Sequence, residues 1–208
     1  MSFLKRLHAA ANTWPYFHKT NFKDIPHVRT QSEMGSAPSH SDGFDPEAIY
    51  FFIKGMESSS SVYETDRKHT WEAKLTPKAR VLTLNSVTWD KAWQWLKEVG
   101  VKNQQDFLDV LYTCHSQTFN AFMDTLNVDG DDKNEVQKAF LKHLNDVHWS
   151  WFRVLRKKIY DSKKFANFFI RHGYNALLDD GPYLYGDEPQ LVVLDSTAVE
   201  MRLIDGSV

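Results

Sequence analysis

Two tyrosines and a serine, Tyr50, Ser60 and Tyr63, carry the most legible chemistry of this 208-residue chain. They stand in Ile49-Tyr50-Phe51 and in Ser60-x-x-Tyr63. Aromatic faces attract a flat cation through the ring quadrupole, and an amide on such a ring is oriented by one hydroxyl and backbone groups. Upstream, Tyr16-Phe17-His18-Lys19-Thr20 supplies a histidine and a second hydroxyl. Downstream, Glu188-Pro189-Gln190 precedes the apolar run Leu191-Val192-Val193-Leu194. Glu188 and Gln190 share one side of that strand if it is extended, although Pro189 can bend it. A carboxylate there offers preorganised negative charge to a centre that becomes positive during a reaction.

Strands must position these residues. Residues 49–53, 70–75 and 80–84 read as strands, the second alternating Trp71, Ala73 and Leu75 with Thr70, Glu72 and Lys74. That two-residue period predicts a strand with one wet face. Residues 174–178, 191–195 and 199–204 read as a second group of strands. Between the two groups, residues 89–160 take on a helical period. Phe107, Leu108, Leu111, Cys114, Phe119, Phe122 and Leu126 fall on one arc of a single helix, and Val147, Trp151, Val154, Leu155 and Ile159 on another. Residues 163–172 form a short helix burying Phe165, Phe168 and Phe169 and stopped by Gly173. Residues 31–46 are a Ser/Gly/Pro/Asp-rich loop, and residues 179–189 an acidic one. The expectation is a single α+β domain over residues 1–208, with sheets at both ends and three or four helices inserted at about 86–162.

Tyr16-Phe17-His18-Lys19-Thr20 resembles the first-strand His-Gly-Thr signature of the ADP-ribosyltransferases, in their poly(ADP-ribose)-polymerase-like His-Tyr-Glu group. Ile49-Tyr50-Phe51 is similar to the Gly-Ile-Tyr-Phe strand of that family, and Ser60-x-x-Tyr63 to its Ser-x-x-Tyr. Gly173-Tyr174 and the strand after Glu188 resemble the closing motifs of phage- and bacteria-encoded members. The resemblance implies a split β-sandwich that binds NAD as co-substrate in a cleft between two sheets. His18 and Thr20 would hold the adenosine ribose and carboxamide, Ser60 the nicotinamide amide, and Tyr50 and Tyr63 the nicotinamide ring. Glu188 and Gln190, with Tyr50, would stand at the scissile bond. Lys19, Ala48 and Gln190 depart from the family pattern, and Gln190 occupies the usual place of the catalytic glutamate. The implied reaction transfers ADP-ribose to a macromolecular acceptor, by default a protein, and releases nicotinamide. The rival reading keeps the fold as a non-catalytic interaction module, such as a virion component or an inhibitor of a host enzyme.

Bulk properties narrow the field. A net charge of −2, from 25 Lys and Arg against 27 Asp and Glu, speaks against a general nucleic-acid binder. One basic stretch, Arg153, Arg156, Lys157, Lys158, Lys163 and Lys164 interleaved with Trp149, Trp151 and Tyr160, remains as a nucleic-acid or acidic-protein surface. Its plainer reading is the wet face of a helix. A lone cysteine, Cys114, excludes an intrachain disulfide and fits a reducing compartment. No apolar run reaches the ~20 residues of a membrane span. The first twelve residues lack the apolar stretch of a secretory signal and read as a docking arm or first helix. A cytoplasmic location follows, the host cytoplasm or a virion for a phage-encoded chain. His143 and His148 are five apart, Cys114 and His115 adjacent, and no zinc pattern occurs, so no metal is expected. Asp129-Gly130-Asp131-Asp132 misses the calcium-loop register and reads as a solvated turn.

Overall fold

The computed structural model describes residues 14–20, 48–54, 69–114, 116–128, 132–179 and 189–204, with backbone alone at 18–20, 116–118, 133 and 162. Seven strands are hydrogen-bonded into one sheet: β1 (Tyr16–Thr20), β2 (Ile49–Ile53), β3 (His69–Leu75), β4 (Val81–Thr83), β5 (Ala176–Asp179), β6 (Gln190–Val193) and β7 (Val199–Ile204). Their order is β4-β5-β6-β2-β1-β3-β7. The expected sheets at the two ends of the chain are thus one, because β6 pairs with β2 and β7 with β3. All of these pairings are antiparallel except β4 with β5. Parallel neighbours need a crossover rather than a hairpin. Here the crossover is the helical block itself.

The sheet is curled into a half-barrel. On one side of it Tyr16, Ile49, Phe51, Ile53, Ala73, Ala176, Leu178, Leu191, Val193 and Val199 form one apolar cluster. The other side of β4, β5 and β6 gives Leu82, Leu177 and Val192 to a larger cluster shared with the helices, and Tyr50 packs against it. Strands β5 and β6 are therefore covered on both faces. Their unbroken runs Ala176-Leu177-Leu178 and Leu191-Val192-Val193 are the pattern that two-sided burial demands.

Six helices are present among the described residues: α1 (Trp89–Glu98), α2 (Gln104–Tyr112), α3 (Ser116–Leu126), α4 (Lys133–Lys142), α5 (Ser150–Lys158) and α6 (Ser162–Arg171). Thr88, Asn103, Asp132 and Asp161 cap α1, α2, α4 and α6, each side-chain oxygen accepting from a backbone N–H of the first turn. Gly173, with φ +91°, ends α6 where a side chain would be strained. Trp95, Trp151, Phe152, Phe168 and Phe169 lie fully buried at the centre of the block.

Three expectations need correction. Residues 107–126 are two helices, not one. The chain turns at Thr113 and Cys114, where the Thr113 hydroxyl donates to Val110 O at 2.7 Å and Cys114 N to Leu111 O. Five helices rather than three or four thus separate Trp89 from Tyr160. The face of β3 away from that first cluster is not wet at its centre: Glu72 is only 4% exposed. Its carboxylate accepts from Arg202 Nε and Nη2 at 2.9 and 2.6 Å and from Lys54 Nζ, while Arg202 and Lys74 both lie over the Trp14 ring. Finally, Asp179 is the last residue of β5 rather than the first of a loop.

Candidate functional site

Strand pairing builds a row of side chains across the face of the sheet opposite the Tyr16 cluster. Gln190, the first residue of β6, is opposite Asp179 on one side and Phe52 on the other. Phe52 is opposite Phe17, and their rings lie 5.6 Å apart. Phe17 is opposite Glu72, and Glu72 opposite Arg202. Directly opposed residues on neighbouring antiparallel strands share a face, with Cβ atoms about 5 Å apart. The row therefore runs carboxylate, amide, two rings, carboxylate, guanidinium.

Tyr50 stands one step along the same face, opposite Val192, and is half-buried against the helical cluster. Gln190 is half-buried and Asp179 fully buried. The structure thus brings Tyr50 and Gln190 together on adjacent strands and sets a carboxylate beside them. Asp179 had no signal of its own in the sequence, because an Asp-Asp pair after an apolar run reads as the start of a loop. Only the pairing with Gln190 reveals it as a strand residue facing this site.

The histidine and threonine of β1 are held differently. His18 pairs with Trp71 and Thr20 with His69, so β2 separates them from Gln190. In the two-residue period of β1, positions 18 and 20 go with that of Tyr16, on one face, whereas Tyr50 and Gln190 go with Phe17 and Phe52 on the other. Ser60, Tyr63 and Glu188 lie outside the described residues. The segment of Glu188 has both attachments at one end of the sheet, where Asp179 ends β5 and Gln190 begins β6, whereas the segment of Ser60 and Tyr63 leaves β2 at this end and rejoins the sheet at His69, at the opposite end.

No family model, curated protein or solved structure matches this chain.

Among the described residues, no group of His, Cys, Asp and Glu is arranged to hold a metal, and no helix is long and apolar enough to cross a membrane. The carboxylate of Asp132 is occupied as a helix cap, accepting from Asn134 N and Glu135 N. His143 Nδ1 lies 3.0 Å from Asp146, and His148 packs edge-on against Trp89. The basic stretch divides as well. Trp151 is buried, Arg153 half-buried, and Arg156 is turned back on its own chain. Lys158, Lys163 and Lys164 are exposed and Lys157 half-exposed.

Proposed function

We propose that the chain binds NAD near the sheet end where β2 and β5 finish and β6 begins, and transfers its ADP-ribose to a macromolecular acceptor, by default a protein. On this reading the curled sheet is the ADP-ribosyltransferase sandwich in a divergent form. The observation that carries the reading is the convergence of Tyr50, Gln190 and Asp179 on one face of three adjacent strands, with Gln190 and Asp179 at the sheet end where the segment of Glu188 attaches and from which the segment of Ser60 and Tyr63 departs. The adenosine half of the grip, at His18 and Thr20, rests on the resemblance of their motif alone.

The chemistry asks for three things at that end. Tyr50 and Tyr63 hold the cationic nicotinamide ring, with Ser60 on its amide. The bond between ribose C1′ and the ring nitrogen breaks with its electron pair going to nicotinamide. An acceptor nucleophile then bonds C1′ and gives up its proton. Positive charge on the ribose is stabilised by a fixed carboxylate in a water-poor setting. Gln190 supplies hydrogen bonds but no charge, so Glu188 or Asp179 carries that role.

A second reading has its own observation. With Gln190 at the start of β6, the fold can hold a ligand or partner without cleaving anything. Labelled NAD and lysate decide between the two. Transfer to an acceptor, lost in Glu188→Gln or in Asp179→Asn with the melting curve retained, supports the enzyme. NAD binding without any transfer supports the non-catalytic module.

A further inference from the structure

The loop between α5 and α6 presents a single aromatic ring to solvent. Tyr160 is 74% exposed, the most exposed large hydrophobic side chain among the described residues. Its backbone is nonetheless held. Arg156 Nη1 donates to Ile159 O at 2.7 Å and to Tyr160 O at 3.0 Å, and the same guanidinium lies over the Phe165 ring of α6. On the other side Asp161 caps α6 by accepting from Lys164 N at 2.8 Å. The ring is displayed on a stiff support, so little ordering entropy is lost when something stacks on it.

Four lysines flank this ring, Lys157 and Lys158 before it and Lys163 and Lys164 after it. None of the four is in an ion pair among the described residues. The first two end α5, where cations suit the negative end of the helix dipole. The second two sit in the first turn of α6, at the positive end, where cations are unfavourable. Helix stability therefore explains Lys157 and Lys158 but opposes Lys163 and Lys164. The nearest carboxylate in sequence, Asp161, is engaged as the cap.

We infer that this loop is a docking site for single-stranded nucleic acid, with an unpaired base stacked on Tyr160 and the neighbouring phosphates met by Lys157, Lys158, Lys163 and Lys164. Stacking on an exposed aromatic and a cationic track for the backbone are the two parts of such sites. A duplex hides its base faces from a lone ring, and an acidic peptide would use the lysines but not the tyrosine. The site does not depend on NAD.

The test is a fluorescence-anisotropy titration of a short labelled oligothymidylate, alone and annealed to its complement, with polyglutamate as competitor. The expected affinity for the single strand falls with salt at a log–log slope of about −3, from roughly 0.7 per phosphate contact. Tyr160→Ala weakens binding about tenfold. The double change Lys163→Gln, Lys164→Gln lowers the slope by about 1.4 while leaving the melting temperature unchanged or raised, opposite to what a structural role would give. The proposal is overturned by absence of binding at low salt, by Tyr160→Ala binding like the parent, by equal affinity for the duplex, or by polyglutamate binding as tightly as the oligonucleotide.

Discussion

At the scale of single residues, polar groups in this protein are buried at a cost or with compensation. Tyr16 is 1% exposed within its apolar cluster, and its hydroxyl has no hydrogen-bond partner among the described residues. Burial pushes its pKa from 10.0 up to about 12. An unfolded chain releases that proton first, so the stabilisation is complete below pH 10 and is lost as pH rises toward 12. Tyr16→Phe should leave neutral-pH stability unchanged or raised by about 1 kcal/mol, and should shallow the alkaline part of a melting-temperature-against-pH curve. A loss of more than about 2 kcal/mol would reveal a partner for the hydroxyl. Glu72 is the compensated case, its carboxylate shared by Lys54 and Arg202. The sequence showed Glu72 only as the polar half of an alternation. Its burial depends on two cations distant in sequence, one in β7 and one just past the end of β2.

At the scale of elements, periodicity was legible and chain breaks were not. The bounds of β2 and β7 follow from apolar patterning, and α6 from three phenylalanines closed by Gly173. The break at Thr113 escapes a helical wheel because Phe119 and Phe122 resume on the arc that Phe107 and Leu111 began. The segment joining α4 to α5 has a pH signature. His148 packs against Trp89 and Trp151 at 5.4 and 6.5 Å, and burial holds its pKa below 6.5, against a smaller upward effect of the Val87 backbone. The unfolded state then binds the proton more readily. Stability is present above pH 6.5 and lost as pH falls below it. Melting between neutral pH and about pH 5 should show this loss, and His148→Gln should reduce its slope. An identical slope in the variant would place the acid sensitivity elsewhere.

At the scale of the whole molecule, the two ends of the chain share one sheet, and the helices are the crossover that the parallel pair β4–β5 requires. Asn175 ties this closure. Its Oδ1 accepts from Arg80 N at 2.7 Å, its Nδ2 donates to Lys78 O at 3.1 Å, and its carbonyl accepts from Leu194 N and Asp195 N. Asn175→Ala should cost about 1–2 kcal/mol, since it leaves a part-buried backbone donor and acceptor without their side-chain partner. Denaturant unfolding measures it, and a change under about 0.5 kcal/mol would show that water replaces the amide. An α+β class and a central helical block were readable from periodicity. The joining of the end strands was not, because strand pairing over such a sequence distance leaves no local trace. The same holds for the site. Tyr50 and Gln190 were each visible, but their neighbour Asp179 emerged only once β5 lay against β6.

On the proposed reading NAD is held near the sheet end where β2 and β5 finish and β6 begins. Calorimetric titration of NAD into the intact protein, repeated with Tyr50→Ala, tests it most directly. Saturable one-to-one binding is expected, weakened by about tenfold or more in Tyr50→Ala, with the variant still folded. Heat-silent titration with no rise in melting temperature at millimolar NAD would contradict it, as would unchanged affinity in the variant.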